Sequence, residues 1–200
     1  MKKTILLSVL LIFFHLSYSQ TDTVKSIYIG DYHQGGIVFY IDRTGKHGLI
    51  AAPKNQTEQK IMWGPNGKTG AISMEDGNAN TLKIIDFYKR QELDENKYSS
   101  IIRKKLTEDQ LIKYKKTAAY ICDTLTINGY SDWYLPAIDE LLIMYENRKL
   151  IGGFIIGDYC SSTEYGKKDA YSIHIKPFKR VDFYYNKIDK DYYVRCIRKF

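Results

Sequence analysis

Three cysteines, Cys122, Cys160 and Cys196, constrain this chain more than any other feature, because their meaning depends on the compartment the chain reaches. In an oxidising compartment an odd count predicts one disulfide and one residual thiol. The N-terminus points to such a compartment. Lys2 and Lys3 form a positive n-region, Ile5 to Phe14 an apolar run broken only by Ser8, and Ser17-Tyr18-Ser19 a small-x-small cleavage signal. Residues 1–19 are therefore expected to be a signal peptide, cleaved after Ser19. The apolar run is shorter than the roughly 20 residues that cross a bilayer. No later segment is apolar enough to cross, and no cysteine at the cleavage point can carry a lipid. The expected product is periplasmic, surface-exposed or secreted, without stable membrane insertion.

Residues 20–29 read as a linker and residues 30–200 as one domain, long enough to bury its own core. Ile37 to Ile41 and Leu49 to Ala52, separated by Arg43-Thr44-Gly45-Lys46, predict a β-hairpin. Lys54 to Asn80, rich in Gly and Asn around Trp63-Gly64, predicts a long irregular excursion. A helix with a short stripe of Leu82, Ile85 and Phe87 is expected over 81–90, followed by a charged, solvated segment over 91–105. Thr107-Glu108-Asp109-Gln110 has the form of a capping box and predicts a helix start. Leu111, Tyr114, Ala118, Ile121, Cys122 and Leu125 continue that helix at helical spacing, and Asn128-Gly129 predicts a left-handed stop. A further helix is expected from Ile138 to Asn147. The rest reads as strand: Tyr171, Ile173 and Ile175 alternating with polar residues, Val181 to Tyr185, and Tyr192 to Ile197. Hairpin, helices and then antiparallel strands make an α+β pattern.

Cys122 lies on the apolar face of a predicted helix, and Cys196 shares a face with Tyr192 and Val194 in the last strand. A bridge between them would close a loop of about 75 residues and contribute on the order of 4 kcal/mol. Cys160 would then be the residual thiol. The alternative pairings, through Cys160, leave Cys122 or Cys196 free.

Gly30-Asp31-Tyr32-His33-Gln34-Gly35-Gly36-Ile37-Val38-Phe39-Tyr40 and His47-Gly48-Leu49-Ile50-Ala51-Ala52 open a series of blocks. It continues with Thr126 to Pro136 (Thr-Ile-Asn-Gly-Tyr-Ser-Asp-Trp-Tyr-Leu-Pro), Asp139-Glu140-Leu141, Ser161 to Tyr165 and Tyr192 to Arg198. In order and content these resemble the C-terminal domain family of the Legionella collagen-like adhesin, long catalogued as a domain of unknown function, over nearly the whole mature chain. The resemblance implies a fold similar to C-type lectin-like and formylglycine-generating-enzyme-like domains, in which a helix cysteine often bonds to one in the last strand. It also implies a binding role, because the adhesins that carry such a domain are associated with sulfated glycosaminoglycans. Three departures stand out. Cys160 replaces the family's usual Trp, Ala137 replaces a capping residue such as Ser, and the charged segment 91–105 is longer. No collagen-like repeat is present to carry over trimer formation.

Among candidate ligand contacts, Lys176, Lys179, Arg180, Lys187 and Lys190 fall on the late strands beside Phe178, Tyr184 and Tyr185. They would hold sulfate or carboxylate groups by charge-assisted hydrogen bonds, or else form a solvated edge that discourages strand pairing. Trp63 would stack on a sugar ring or anchor its loop. The chain's net charge of +7, of which Lys2 and Lys3 leave with the leader, suits an anionic glycan as well as simple solubility.

Asp132, Glu140 and Glu164 do not make a recognisable calcium site, since neither Glu-Pro-Asn nor Trp-Asn-Asp appears, and Asp132 fits a turn cap and Glu140 a first helical turn. Ser161 and Ser162 lack a G-x-S-x-G elbow, and His33, His47 and His174 have no base-like spacing to them. A formylglycine-type oxidase would need a pair of active-site cysteines, which the structural bridge would consume. Export and the absence of zinc or aromatic reader motifs exclude nucleic acid, and no cofactor is expected. The sequence thus predicts a non-catalytic binding domain for a glycan or anionic polymer, with a structural or protein-interaction module of the envelope as the alternative.

Overall fold

The structure is a computed structural model that describes residues 26–94, 114–176, 187 and 191–200. The expected leader, the capping box at Thr107 and the strand over 181–185 lie outside these residues. Eight short strands and four helices are present among them, and all the named strand pairs are antiparallel.

The predicted hairpin forms from β2 (Gly36–Ile41) and β3 (Gly48–Ala51). Its turn is organised by Asp42, whose Oδ1 accepts from Thr44 N at 3.0 Å and Thr44 Oγ1 at 2.6 Å. β1 (Tyr32–His33) folds onto β2, and β8 (Ile197–Lys199) pairs with β3, giving the order β1-β2-β3-β8. The two ends of the domain therefore meet in one sheet. β4 (Ile61–Met62) pairs with β7 (Asp191–Tyr192), and β5 (Gly157–Glu164) with β6 (Ala170–Ile175).

Alternation of side chains along a strand divides the core into two clusters. Val38, Ile50 and Ala52 join Trp63, Ile84, Trp133 and the disulfide on one side of the central sheet. Phe39, Leu49 and Ala51 join Tyr134, Ile138, Leu141 and Tyr159 on the other.

α1 (Gly77–Asp94) begins a turn earlier than expected. Asp76 Oδ1 accepts from Ala79 N at 3.2 Å, and Thr81 Oγ1 donates to Gly77 O at 2.8 Å. Gly77 permits this because a Cβ there would stand 2.5 Å from Leu135 O, Ala137 N and a Glu140 carboxylate oxygen. The buried stripe is Thr81, Ile84 and Ile85, whereas Leu82 is exposed, a correction to the predicted phase.

The predicted helix through Leu111 and Leu125 is interrupted at 115–117, and α2 spans Ala118–Asp123 with extended Thr117 as its N-cap. Asn128 and Gly129 are left-handed as expected, at φ 50° and 82°. They do not stop the helix, which ends at Asp123; they form a tight turn in which Ile127 and Tyr130 exchange backbone hydrogen bonds of 3.0 Å.

α3 (Ile138–Glu146) matches its prediction, and a short α4 (Arg148–Ile151) follows. Ala137 cannot cap α3 with its side chain, so other segments satisfy the orphan donors. Ile138 N donates to Thr163 Oγ1 at 3.0 Å and Asp139 N to Met74 O at 3.0 Å. In β6 the expected alternation fails: Ser172 is buried and Tyr171 only half-buried. The final segment buries Tyr192, Val194 and Cys196 as predicted, but it is irregular between β7 and β8 rather than one strand.

Cys122 in α2 and Cys196 before β8 form a disulfide, with Cα atoms 5.4 Å apart and a sequence separation of 74. Cys160 is free and buried against the first cluster, where it fills core volume. Replacing Cys122 and Cys196 by Ala should cost roughly 2–5 kcal/mol in urea unfolding of residues 20–200. A cost under about 1 kcal/mol would show that β3–β8 pairing holds the chain ends without the bridge.

Candidate binding site

A cleft of about 520 Å³ opens on the α3 side of the central sheet, within the roughly 300–1,000 Å³ typical of small-ligand sites. Its apolar walls are Tyr40, Leu49, Ile143 and Phe200. Tyr40 reaches it through a β-bulge: the register slips between Val38 and Tyr40, so that Tyr40 pairs with Leu49. Phe200 is held by reciprocal backbone hydrogen bonds with Gly48 of 3.1 and 3.2 Å. Any Cβ at Gly48 would stand 2.6 Å from the Phe200 ring, so glycine is what admits the ring to the cleft wall.

Asp42, Glu75, Asp139, Glu140, His47 and Lys199 complete the lining. Glu140 is a buried strut. Its Oε2 accepts from Gly77 N at 3.1 Å and Ala137 N at 2.8 Å, and its Oε1 from Tyr134 Oη at 2.9 Å. Burial pushes its carboxyl up despite these donors. The carboxylates of Glu75 and Asp139 have no hydrogen-bond or ion-pair partner among the described residues. Lys199 Nζ leans toward Asp76 Oδ1 at 3.5 Å, outside the lining.

The structure redistributes the residues singled out in the sequence. Trp63 is completely buried and donates from Nε1 to Ser161 O at 2.6 Å. It anchors the 54–80 excursion and presents no face to a ligand. Lys187 is also completely buried: Nζ donates to Glu164 Oε1 at 2.7 Å, Gly166 O at 2.8 Å and Gly67 O at 3.2 Å, and lies 4.5 Å from the Trp63 ring centroid. It therefore leaves the predicted basic surface. Lys176 is half-buried at the end of β6, and Lys179, Arg180 and Lys190 lie outside the described residues.

Asp132, Glu140 and Glu164 serve three separate networks. Asp132 holds Arg198 through two hydrogen bonds of 2.7 and 2.8 Å, and Arg198 also donates to Gln34 Oε1. The Arg198 hydrogen bonds hold the Asp132 carboxyl below its ordinary value. Ser161 Oγ donates to Tyr171 O at 2.8 Å, while Ser162 Oγ is buried without a partner among the described residues. His174 pairs with Asp158 at 2.7 Å. Burial pushes the Cys160 thiol up to about 12, opposite to the activation a nucleophilic thiolate requires.

Sequence reasoning passed over Arg195, whose position out of phase with Val194 and Cys196 predicts a solvent-facing side chain. It is buried, with donors on Ala52 O at 2.8 Å, Asn55 Oδ1 at 3.1 Å and Gly152 O at 3.1 Å. Burial pulls its guanidinium down to about 10. It also passed over the cleft, because Tyr40, Glu75, Asp139 and Phe200 are far apart in the chain.

No family model matches the chain, and no curated protein matches it. Among the described residues no helix is long and apolar enough to cross a membrane.

Glu164 yields a pH prediction. Burial pushes its carboxyl up, but Lys187, Thr69 and Gly70 N together override this and hold it below its ordinary 4.5. A depressed folded-state value stabilises the fold above about pH 4.5, and this contribution disappears as pH falls through the folded value. Glu164→Gln should lose about 3 kcal/mol or more at neutral pH, because the buried Lys187 ammonium is left uncompensated. Its melting temperature should also vary less than the wild type's between neutral and acid pH; parallel pH profiles would refute the assignment.

Proposed function

We propose that this protein is a non-catalytic binding domain that acts outside the cytosol, C-type lectin-like in fold, and that it recognises a glycan at a cell surface or in a matrix. The observation that carries this reading is the cleft. Exposed Tyr40 offers flat apolar surface to the C–H face of a sugar, Phe200 adds to the apolar lining, and acidic residues of the lining accept hydrogen bonds from hydroxyl groups. The leader-like N-terminus supports export, and a disulfide accords with an oxidising destination. The Cys122–Cys196 bridge and the pairing of the domain's end strands support the lectin-like reading and the resemblance to the adhesin C-terminal domain.

An anionic polymer fits less well at this position, where carboxylates outnumber ammonium groups, and burial of Lys187 reduces the alternative surface on the late strands. A glycan array that includes a sulfated set, read at two salt concentrations, tests both locations. Binding should fall about tenfold in Tyr40→Ala at either salt concentration, a change of roughly 1.4 kcal/mol. It should be unaffected by Lys179→Glu with Arg180→Glu. Salt-sensitive binding lost only in that double variant would move the site to the late strands, and a flat array would overturn glycan recognition.

A further inference from the structure

We propose, building on the glycan reading, that the cleft selects an amino sugar whose amine is free and protonated. Tyr40, Leu49, Ile143 and Phe200 give the cleft an apolar lining that suits the ring body of such a ligand. Its charges suit the ammonium group. Although the chain as a whole is basic, Asp42, Glu75 and Asp139 line the cleft, with Asp42 engaged by Thr44, and among the described residues of the lining the one lysine is Lys199, which is itself drawn toward Asp76.

The distribution of these carboxylates selects the kind of cation. Among the described residues no group of three acidic, histidine or cysteine side chains converges to hold a metal ion. The negative charge is spread around an apolar space rather than focused on a point, which matches an ammonium carried on a ring. Glu75 and Asp139 have no partner among the described residues, so a ligand ammonium gains charge-assisted hydrogen bonds without displacing existing ones. Glu140, also in the lining, is already held by three donors. A sulfate or carboxylate at the same place would meet like charge.

The test is a calorimetric titration of the mature chain with glucosamine tetramer, its fully N-acetylated counterpart and a sulfated heparin-type tetrasaccharide. The free-amine tetramer should bind at least about tenfold more tightly than the acetylated one, and the sulfated ligand more weakly than either. Asp139→Asn combined with Glu75→Gln should bring the amine-to-acetyl ratio near one, with melting temperature recorded to establish folding. Equal or tighter binding of the acetylated tetramer overturns amine selection while leaving glycan recognition intact. Failure of both tetramers to bind also overturns it, and the array independently decides the broader reading. A ratio unchanged in the folded double variant overturns the assignment to these carboxylates.

Discussion

The pairing of β8 with β3 is the contact on which the other features depend. It places the last residues of the chain against its first hairpin, so the central sheet is complete only when the whole domain has been gathered. Such a long-range pairing carries a large loop-closure cost, and three connections near it offset that cost. Cys196 is tied to α2, Arg195 is bound to the carbonyls that follow β3 and α4, and Arg198 spans Asp132 and Gln34. The same pairing sets Phe200 beside Gly48 and so forms one wall of the cleft.

Much of the molecule's polar chemistry is structural. Lys187, Arg195 and Arg198 are buried cations, and each is matched to several oxygen acceptors. Isolated burial of such charges is costly, but multiple charge-assisted hydrogen bonds make it tolerable. Their acceptors are often backbone carbonyls of irregular segments, which otherwise lack strand partners. Gly67 O and Gly166 O are held this way by Lys187, and Gly152 O by Arg195. Irregular backbone thus packs beside short strands without leaving these carbonyls unpaired.

The elements legible in the sequence are those whose stabilisation is local. The hairpin has two continuous apolar runs, Ile37 to Ile41 and Leu49 to Ala52, around an Asp-x-Thr-Gly turn, and α3 has Ile138, Leu141 and Tyr145 on one face. Helical spacing places Cys122, and strand alternation Cys196, on the apolar face of its element. The start of α1 was hidden because its first turn is polar and rests on tertiary contacts from Thr81 to Leu135, although Asp76 before Gly77 is a cap signal of the ordinary kind. Lys187 reads as surface because its partners Glu164 and Gly67 are remote in sequence. The cleft is invisible for the same reason, compounded by charge: an excess of Lys and Arg along the chain conceals a local excess of carboxylates in space.

Burial of Cys160 has a consequence for maturation. A chain that oxidises with three thiols has three ways to form a single bridge, and a surviving thiol can attack the bridge once it has formed. Exchange requires both a thiolate and access to the sulfur under attack. Within β5, Cys160 sits beneath packed neighbours and is held protonated, so folding removes both requirements. A chain with the Cys122–Cys196 bridge thus carries its remaining thiol where neither requirement for exchange is met.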